Sequence, residues 1–440
     1  MIALRVAPAI LAGIVLGAHF LRAFELGPAL VAVLAVPVLL AFRRRWALRV
    51  AQGVLLAGAV EWVLTTAILV DERQTLGEPA QRLVAILGSV ILLTVVGAVL
   101  LGSRASLERF GPSRGSTGVS VAAVALTLLV VVPVQLVVDP PGLLLERFVP
   151  TAGWVEIALL TLYAGWLAEV MIDPALSPRW RVRVWRLFSA VFFAQLVIGL
   201  LGFDRFLMTG KLHLPVPALI IGGPLFRGSG LFMPILFTAT LVFVGSAWCS
   251  HLCYIGSWDD AAARGVRGPR RRPKMVPSWH RPLQFLILGL TVVVALGLRF
   301  AGASSSIALA VAASFGVGGV LLMILWSRRV GVMTHCISYC PIGVLATTVG
   351  RLNPFRVRMS DECDACGACA AACRYDALRP EHIAARRPGA ACTLCGDCVT
   401  RCRSGSLGYR LGNLEPWRAR AVFIALIVAL HAGFLGVARL

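Results

Sequence analysis

Long apolar segments separated by short polar loops dominate the chain. Each segment is close to the roughly 20 residues that a helix needs to cross the ~30 Å hydrocarbon core of a bilayer. Such helices satisfy their own backbone hydrogen bonds, as lipid requires. We therefore predict eleven membrane spans, near residues 4–21, 28–42, 47–70, 80–102, 118–138, 155–172, 187–203, 231–248, 283–301, 306–326 and 419–437.

Arginine-rich loops alternate with loops of mixed charge. The basic loops carry Arg43–Arg45, Arg104 to Arg114, Arg179 to Arg186, Arg264 to Lys274, and Arg328 with Arg329. Loops on the cytoplasmic side are enriched in Arg and Lys. The alternation predicts a bacterial cytoplasmic (inner) membrane protein with its N-terminus inside, its C-terminus outside and residues 354–416 in the cytoplasm.

The composition agrees with a membrane protein. Of the 440 residues 58% are hydrophobic and only 14% are charged, too few charges to cover a soluble protein of this length. The formal charge of +21 does not indicate nucleic acid binding, because no basic face is interleaved with exposed aromatic residues. The expected contact is membrane lipid.

Eight of the twelve cysteines form two complete C-x2-C-x2-C-x3-C motifs. They are Cys363, Cys366, Cys369 and Cys373, followed by Cys392, Cys395, Cys398 and Cys402. In two-cluster ferredoxins the fourth cysteine of such a run binds the other cluster. This predicts one [4Fe–4S] cluster on Cys363, Cys366, Cys369 and Cys402, and another on Cys392, Cys395, Cys398 and Cys373. Structural zinc sites are the alternative, but they use two separated cysteine pairs.

This segment resembles a bacterial two-[4Fe–4S] ferredoxin domain, a small α+β fold. Arg374 and Arg403 stand where proline commonly follows the fourth cysteine. The ligands are intact, and two nearby cations are expected to raise the cluster potentials.

Two further cysteine pairs precede this segment. Cys249 and Cys253, and then Cys336 and Cys340, each form C-x3-C after a predicted helical hairpin. On a helix, positions i and i+4 share a face. Two such faces brought together by duplication predict a four-thiol site for a third iron–sulfur cluster, copper(I) or zinc. Burial as small hydrophobic residues is the alternative.

The C-x3-C elements followed by a two-cluster segment resemble NapH/NosR-type membrane iron–sulfur proteins over about residues 188–409. Pro341 fits that pattern, whereas Tyr254 stands where proline is expected. The resemblance implies an electron-transfer subunit rather than a stand-alone enzyme. It implies a partner redox protein, flavin- or haem-bearing or a periplasmic reductase component.

We predict an all-α membrane helix bundle with a small cytoplasmic α+β domain. Its domains are 1–186 (N-terminal spans), 187–353 (duplicated core), 354–416 (ferredoxin-like) and 417–440 (last span). The predicted function is electron relay between a cytoplasmic or quinone-pool donor and a partner. A copper-reducing maturation factor for a respiratory enzyme is the alternative.

Polar groups within the spans are further candidates. Glu61 and Glu169 are candidate proton acceptors from a quinol or helix-packing partners. His19 and His431 are candidate haem or quinone ligands. The apolar, proline- and glycine-rich stretch 211–224 is predicted to be re-entrant or interfacial, either as a packed cap or as the wall of a ligand site.

Overall fold

The computed structural model describes residues 3–103, 106, 110, 117–139, 141–203, 206, 214–265, 276–277 and 279–437. The chain divides into two compact units, Met1–Glu169 and Val170–Leu440. The predicted domain boundaries stay predictions. Some predicted loop residues lie outside the described residues: Arg104, Arg109, Arg114, 211–213 and 266–274.

The first unit consists of helices. They are α1 (Ala3–Arg22), α2 (Leu26–Ala41), α3 (Arg45–Thr75), α4 (Gln81–Leu101), α5 (Thr117–Val137), α6 (Leu144–Phe148) and α7 (Gly153–Ile172), the last of which runs past the end of the unit. α1 packs against α2 and α4, and α3 packs against α4. Small residues such as Ala47 and Ala51 are fully buried beside Trp46, while many long aliphatic side chains face outward. This inverted distribution is typical of helices in lipid.

The membrane part of the second unit contains longer and shorter helices. They are α8 (Ser177–Leu200), α9 (Leu219–Arg227), α10 (Phe232–Val244), α11 (Gly256–Arg264), α12 (His280–Phe300), α13 (Ser305–Leu322), α14 (Pro341–Val349) and α18 (Pro416–Val437). Within the described residues nine helices are long and apolar enough to span a membrane, and two shorter apolar helices, Val6–Arg22 and Leu26–Ala41, accompany them. These match the eleven predicted spans and confirm the predicted helical membrane bundle.

Residues 356–410 form a small α+β segment. It contains β1 (Arg356–Met359), α15 (Ala368–Ala372), α16 (Pro380–Ala384), α17 (Asp397–Arg401) and β2 (Leu407–Arg410). The strands pair antiparallel, with Met359 opposite Leu407. Val357 and Tyr409 are buried and Arg358 is exposed, which is the period of two expected for a half-buried strand.

The re-entrant or interfacial placement of the stretch 211–224 stays a prediction. Within the described residues, the segment 214–227 forms a turn followed by helix α9. Val216, near the start of this segment, packs beside the middle of α13. The close contact is with Gly316, where an added Cβ would lie 2.8 Å from the Val216 side chain. Helix α9 then ends at Gly228, which lies against Arg299 at the C-terminal end of α12. Gly228 ends the helix with φ +72°, a left-handed conformation that suits glycine.

Candidate metal centres

Both C-x3-C elements fold into the same irregular turn. Trp248–Leu252 and His335–Tyr339 are single π-helical turns, and Cys253 and Cys340 follow with extended backbone. The amide of each second cysteine donates to a carbonyl five residues back, at 3.0 and 2.8 Å. The structure therefore differs from the predicted α-helical face, because the wider turn carries the second cysteine out of the helix. Such π turns are frequent at functional sites.

Glycine allows the chain to close over each first cysteine. A Cβ at Gly256 would lie 2.9 Å from the Cys249 carbonyl oxygen, and one at Gly343 would lie 2.4 Å from the Cys336 carbonyl oxygen. A side chain at either position would force its neighbours to move. The two elements therefore share a packing arrangement as well as a spacing.

A polar side chain from the preceding hairpin holds each element in place. Trp185 of α8 donates its indole N–H to the Cys253 carbonyl at 2.7 Å. Gln284 of α12 donates to the carbonyl oxygens of Cys336 and Cys340, at 2.8 and 3.1 Å. Sequence reasoning missed both residues; only Gln284 gave a signal, as a polar group at the start of an apolar run.

The four C-x3-C thiols lie close enough to interact electrostatically, and two of them are buried while Cys253 and Cys336 are partly exposed. Cys249 and Cys340 are each less than 9% exposed. Burial raises the pKa of Cys340 to about 12, and the nearby Cys253 acts in the same direction. Burial also raises the pKa of Cys336, with added contributions from Asp259 and the other three thiols. These thiols resist deprotonation by themselves, so a thiophilic metal or cluster is the kind of group that would stabilise them as thiolates.

Asp259 is a functional candidate that sequence reasoning missed. It lies on α11, is fully buried, and accepts the Cys336 amide N–H at 3.0 Å. Burial raises the pKa of this carboxyl to about 6. A carboxylate bonded to the backbone of a cysteine is a typical supporting group around a metal site.

The eight remaining cysteines surround two separate cavities. One is lined by Cys363, Cys366, Cys369 and Cys402. The other is lined by Cys373, Cys392, Cys395 and Cys398. In each set the fourth cysteine comes from the other motif, as the exchange pattern predicts. The four thiols of each set therefore surround a space and do not meet at one point. Among the described residues, no three His, Cys, Asp or Glu side chains come close enough together to bind a single metal ion.

Each cysteine loop turns through two left-handed residues. Gly367 and Gly396 have φ of +73° and +80°, as expected of the glycines that relieve these turns. Ala365 and Leu394, two residues before them, both have φ of +54°. A side-chain residue in this region costs of order 1–3 kcal/mol and is typical of functional loops.

The two cavities differ in exposure. Burial raises the pKa of Cys373 and Cys395 to about 12. Cys366, by contrast, is exposed. At Cys402 the modest desolvation is outweighed by hydrogen bonds from Ser404 and Ser406, which lower its pKa. The cysteines of the second cavity are therefore more deeply buried than those of the first.

A buried ion pair joins the second cysteine loop to the membrane helices. Arg181 of α8 donates to both carboxylate oxygens of Asp397, at 3.1 and 2.8 Å, and Arg264 donates to the same carboxylate at 3.1 Å. Despite burial, these two cations lower the pKa of Asp397. Sequence analysis gave Arg181 a role only in setting the orientation of the chain in the membrane. Its partner Asp397 is 216 positions away, so no local pattern in the sequence connects the two residues.

Hydrogen bonds extend this contact to the first C-x3-C element. Ser250 donates to the Thr393 carbonyl at 2.8 Å, and Ser246 donates to the Cys392 carbonyl at 2.8 Å. Tyr375, which lines the second cavity, donates its hydroxyl to the Cys249 carbonyl at 3.2 Å. The C-x3-C group and the second cavity are thus in direct contact.

The two arginines that follow the fourth cysteines have different surroundings. Arg374 donates to the carbonyl oxygens of Ala263 and Gly331, each at 3.1 Å. Arg403 is exposed. Arg374 therefore fixes the chain to the membrane core, a role that its position beside Cys373 did not reveal.

A small apolar cavity lies beside the second C-x3-C element. It has a volume of about 20 Å³ and is lined by residues 215–218, by the middle of α13, and by His335 and Cys340. Both ring nitrogens of His335 are buried without a hydrogen-bond partner among the described residues. Burial lowers the pKa of this imidazole to about 4, so it is neutral. Gly319 admits the ring, since a Cβ there would lie 2.7 Å from it.

The other predicted intramembrane groups have ordinary partners. Glu169 accepts from Arg44 at 3.0 Å and from the Trp46 indole at 3.1 Å, which is the helix-packing alternative. His19 lies 3.5 Å from Glu61. His431 belongs to the other unit, where it packs edge-on against Phe188.

Comparisons with known proteins agree with these observations. The family described as a 4Fe-4S binding domain matches residues 226–273, which include Cys249 and Cys253. The chain is similar to the methylamine utilization ferredoxin-type protein MauN of Paracoccus denitrificans (strain Pd 1222), with 28% identity over 179 residues. That alignment covers 38% of this chain and 63% of MauN, so less than two thirds of the relative. No solved structure matches.

The match at 226–273 falls on the first C-x3-C element and not on the eight-cysteine segment. The part of the chain for which sequence reasoning left packing cysteines open is thus similar to a 4Fe-4S binding domain. The finer resemblance to NapH/NosR-type proteins stays a prediction. The spans, the cysteine sites and these similarities together support a multi-pass membrane iron–sulfur protein.

Proposed function

We propose that the chain carries two [4Fe–4S] clusters in the ferredoxin-like segment, each in one of the two cysteine-lined cavities. The main observation in support is that four thiols line each cavity, three from one motif and the fourth from the other. Four thiolate donors around an enclosed space are the ligand set that such clusters require.

The C-x3-C group is proposed to hold a third redox centre, a cluster or a thiophilic metal. The group touches the second cavity through Tyr375, while Cys366 of the first cavity is exposed. Bound clusters supply one-electron chemistry, and the protein positions them in sequence from the membrane core to the surface. Such an arrangement suits relay between a carrier in the membrane and a partner redox protein that docks at the first cavity.

The membrane-side carrier in this proposal is a quinone. The cavity beside Cys340 is not its site, because a volume of about 20 Å³ admits a water molecule and not a quinone ring. A haem site at His19 and His431 has less support, because each histidine has its own neighbours in a different unit.

Metal and sulfide analysis of anaerobically purified protein tests the cluster proposal. Two clusters give about eight iron and eight acid-labile sulfide, and any excess belongs to the C-x3-C group. Cys402→Ser and Cys373→Ser should each remove the EPR signal of a different cluster, and each variant is the matched control for the other. Stoichiometric zinc without sulfide would contradict the proposal.

The alternative function is reduction of copper for delivery to a respiratory enzyme. It is favoured by Cys249 and Cys340, two buried soft donors of the kind that copper(I) prefers. Copper that binds the wild type under reducing conditions, and not a Cys249→Ser variant, would favour maturation. Rapid cluster reduction by a quinol analogue would favour the relay.

A further inference from the structure

A further cavity lies next to the second cysteine set and shares part of its lining. It has a volume of about 450 Å³ and borders the chain from β1 to the loop before Cys392. Val357, Cys392 and Leu394 line both this cavity and the cavity of the second cysteine set. Volumes of 300–1,000 Å³ are typical of sites for small molecules.

The lining of this cavity is strongly basic. Arg351, Arg356, Arg358 and Arg387 all line it, and its lining includes no aspartate or glutamate. No carboxylate among the described residues forms a salt bridge with any of the four. Elsewhere in the same segment arginines are paired, as Arg379 is with Asp376.

The crowding of like charge acts on Arg356, the most buried of the four arginines. Partial burial and the charges of Arg358 and Arg351 lower the pKa of Arg356. The Arg356 guanidinium donates to the carbonyl oxygens of Asn353 and Phe355, which holds its charge in place. Cations fixed side by side without a counter-charge repel one another, and an anion between them would remove that cost.

We infer that this cavity binds a phosphate-bearing ligand, held chiefly by Arg358 and Arg387. Guanidinium groups form paired hydrogen bonds with phosphate oxygens, and the volume admits a ligand of nucleotide size. The same chemistry is offered by the headgroup of an anionic phospholipid and by a soluble phosphorylated molecule. The inference rests on the proposed function in one respect, since it places the ligand beside the second proposed cluster.

The experiment uses the full chain with its clusters intact, in an uncharged detergent. Titration calorimetry with inorganic pyrophosphate measures the soluble source, and native mass spectrometry of protein from phosphatidylglycerol nanodiscs measures the lipid source. Arg358→Gln and Arg387→Gln are the test variants, and both side chains are exposed, so folding is not at risk. Arg401→Gln is the matched control, an exposed arginine of the same segment away from the cavity.

Each test variant should weaken pyrophosphate binding or phosphatidylglycerol retention by roughly ten- to a hundred-fold, the effect of one charged hydrogen-bonding partner. Arg401→Gln should match the wild type. Loss with pyrophosphate alone identifies a soluble ligand, and loss with phosphatidylglycerol alone identifies a lipid headgroup. The inference is overturned when neither probe binds, or when the test variants bind like the wild type. Iron and sulfide measured on the same samples show separately whether the cluster proposal holds.

Discussion

Replacing Asp397 by Asn tests whether the buried ion pair holds the ferredoxin-like segment on the membrane helices. The substitution keeps the size of the side chain and removes the charge that Arg181 and Arg264 share. The Arg181 side chain is only 1% exposed, so its guanidinium would lose its buried counter-charge. Breaking a buried pair in this way costs about 3–5 kcal/mol.

The lost stability should affect the second cysteine set first, because Asp397 lies between Cys395 and Cys398. We expect Asp397→Asn to lower the denaturant midpoint at which visible cluster absorbance is lost, and to remove iron and sulfide of one cluster first. Asp361→Asn is the matched control: Asp361 pairs with Arg386 but is fully exposed, so its loss should have little effect. Equal midpoints for Asp397→Asn and the wild type would refute the docking role.

Three further outcomes are expected. Cys249→Ser and Cys340→Ser should impair electron transfer to a similar degree and the double variant little more, because residues acting as one unit are non-additive; additive losses in steady-state assays would contradict a shared site. A reporter fused after Arg410 should be cytoplasmic, and an external reporter there would reverse the proposed orientation. Gly343→Ala should destabilise the C-x3-C site by roughly 1–3 kcal/mol in thermal unfolding, whereas Gly289→Ala, with open space around its Cβ, should not.

The features that sequence predicted are those set by neighbouring residues. Span positions follow from runs of apolar residues, and the structure reproduces them even in α2, where Pro37 lies inside the helix. The partition of eight cysteines between two cavities follows from a spacing rule. In both cases the relevant physical constraint acts within a few turns of chain, so a linear pattern records it.

The features that sequence did not predict depend on distant partners. In the sequence, Arg181 is one of several arginines in a predicted loop. The fold shows that it is buried against Asp397. The π turns were also missed, because the C-x3-C spacing fits an α-helix equally well. Their geometry depends on Gly256 and Gly343, three residues beyond each second cysteine, where the close approach of a carbonyl becomes visible only in three dimensions.

The contact between the buried thiols and the second cavity bears on how electrons would pass between them. Cys336, Cys373 and Cys395 pack against a single hydrophobic cluster that contains Trp185 and Tyr375. A close-packed apolar interior leaves little room for water, so the surroundings change little when a charge moves. Tyr375 bridges the two sites through its hydroxyl bond to the Cys249 carbonyl, and it is only 3% exposed. The same packing that fixes the segment to the membrane helices therefore gives the proposed relay a fixed, close-packed connection, which a mobile tethered domain would not provide.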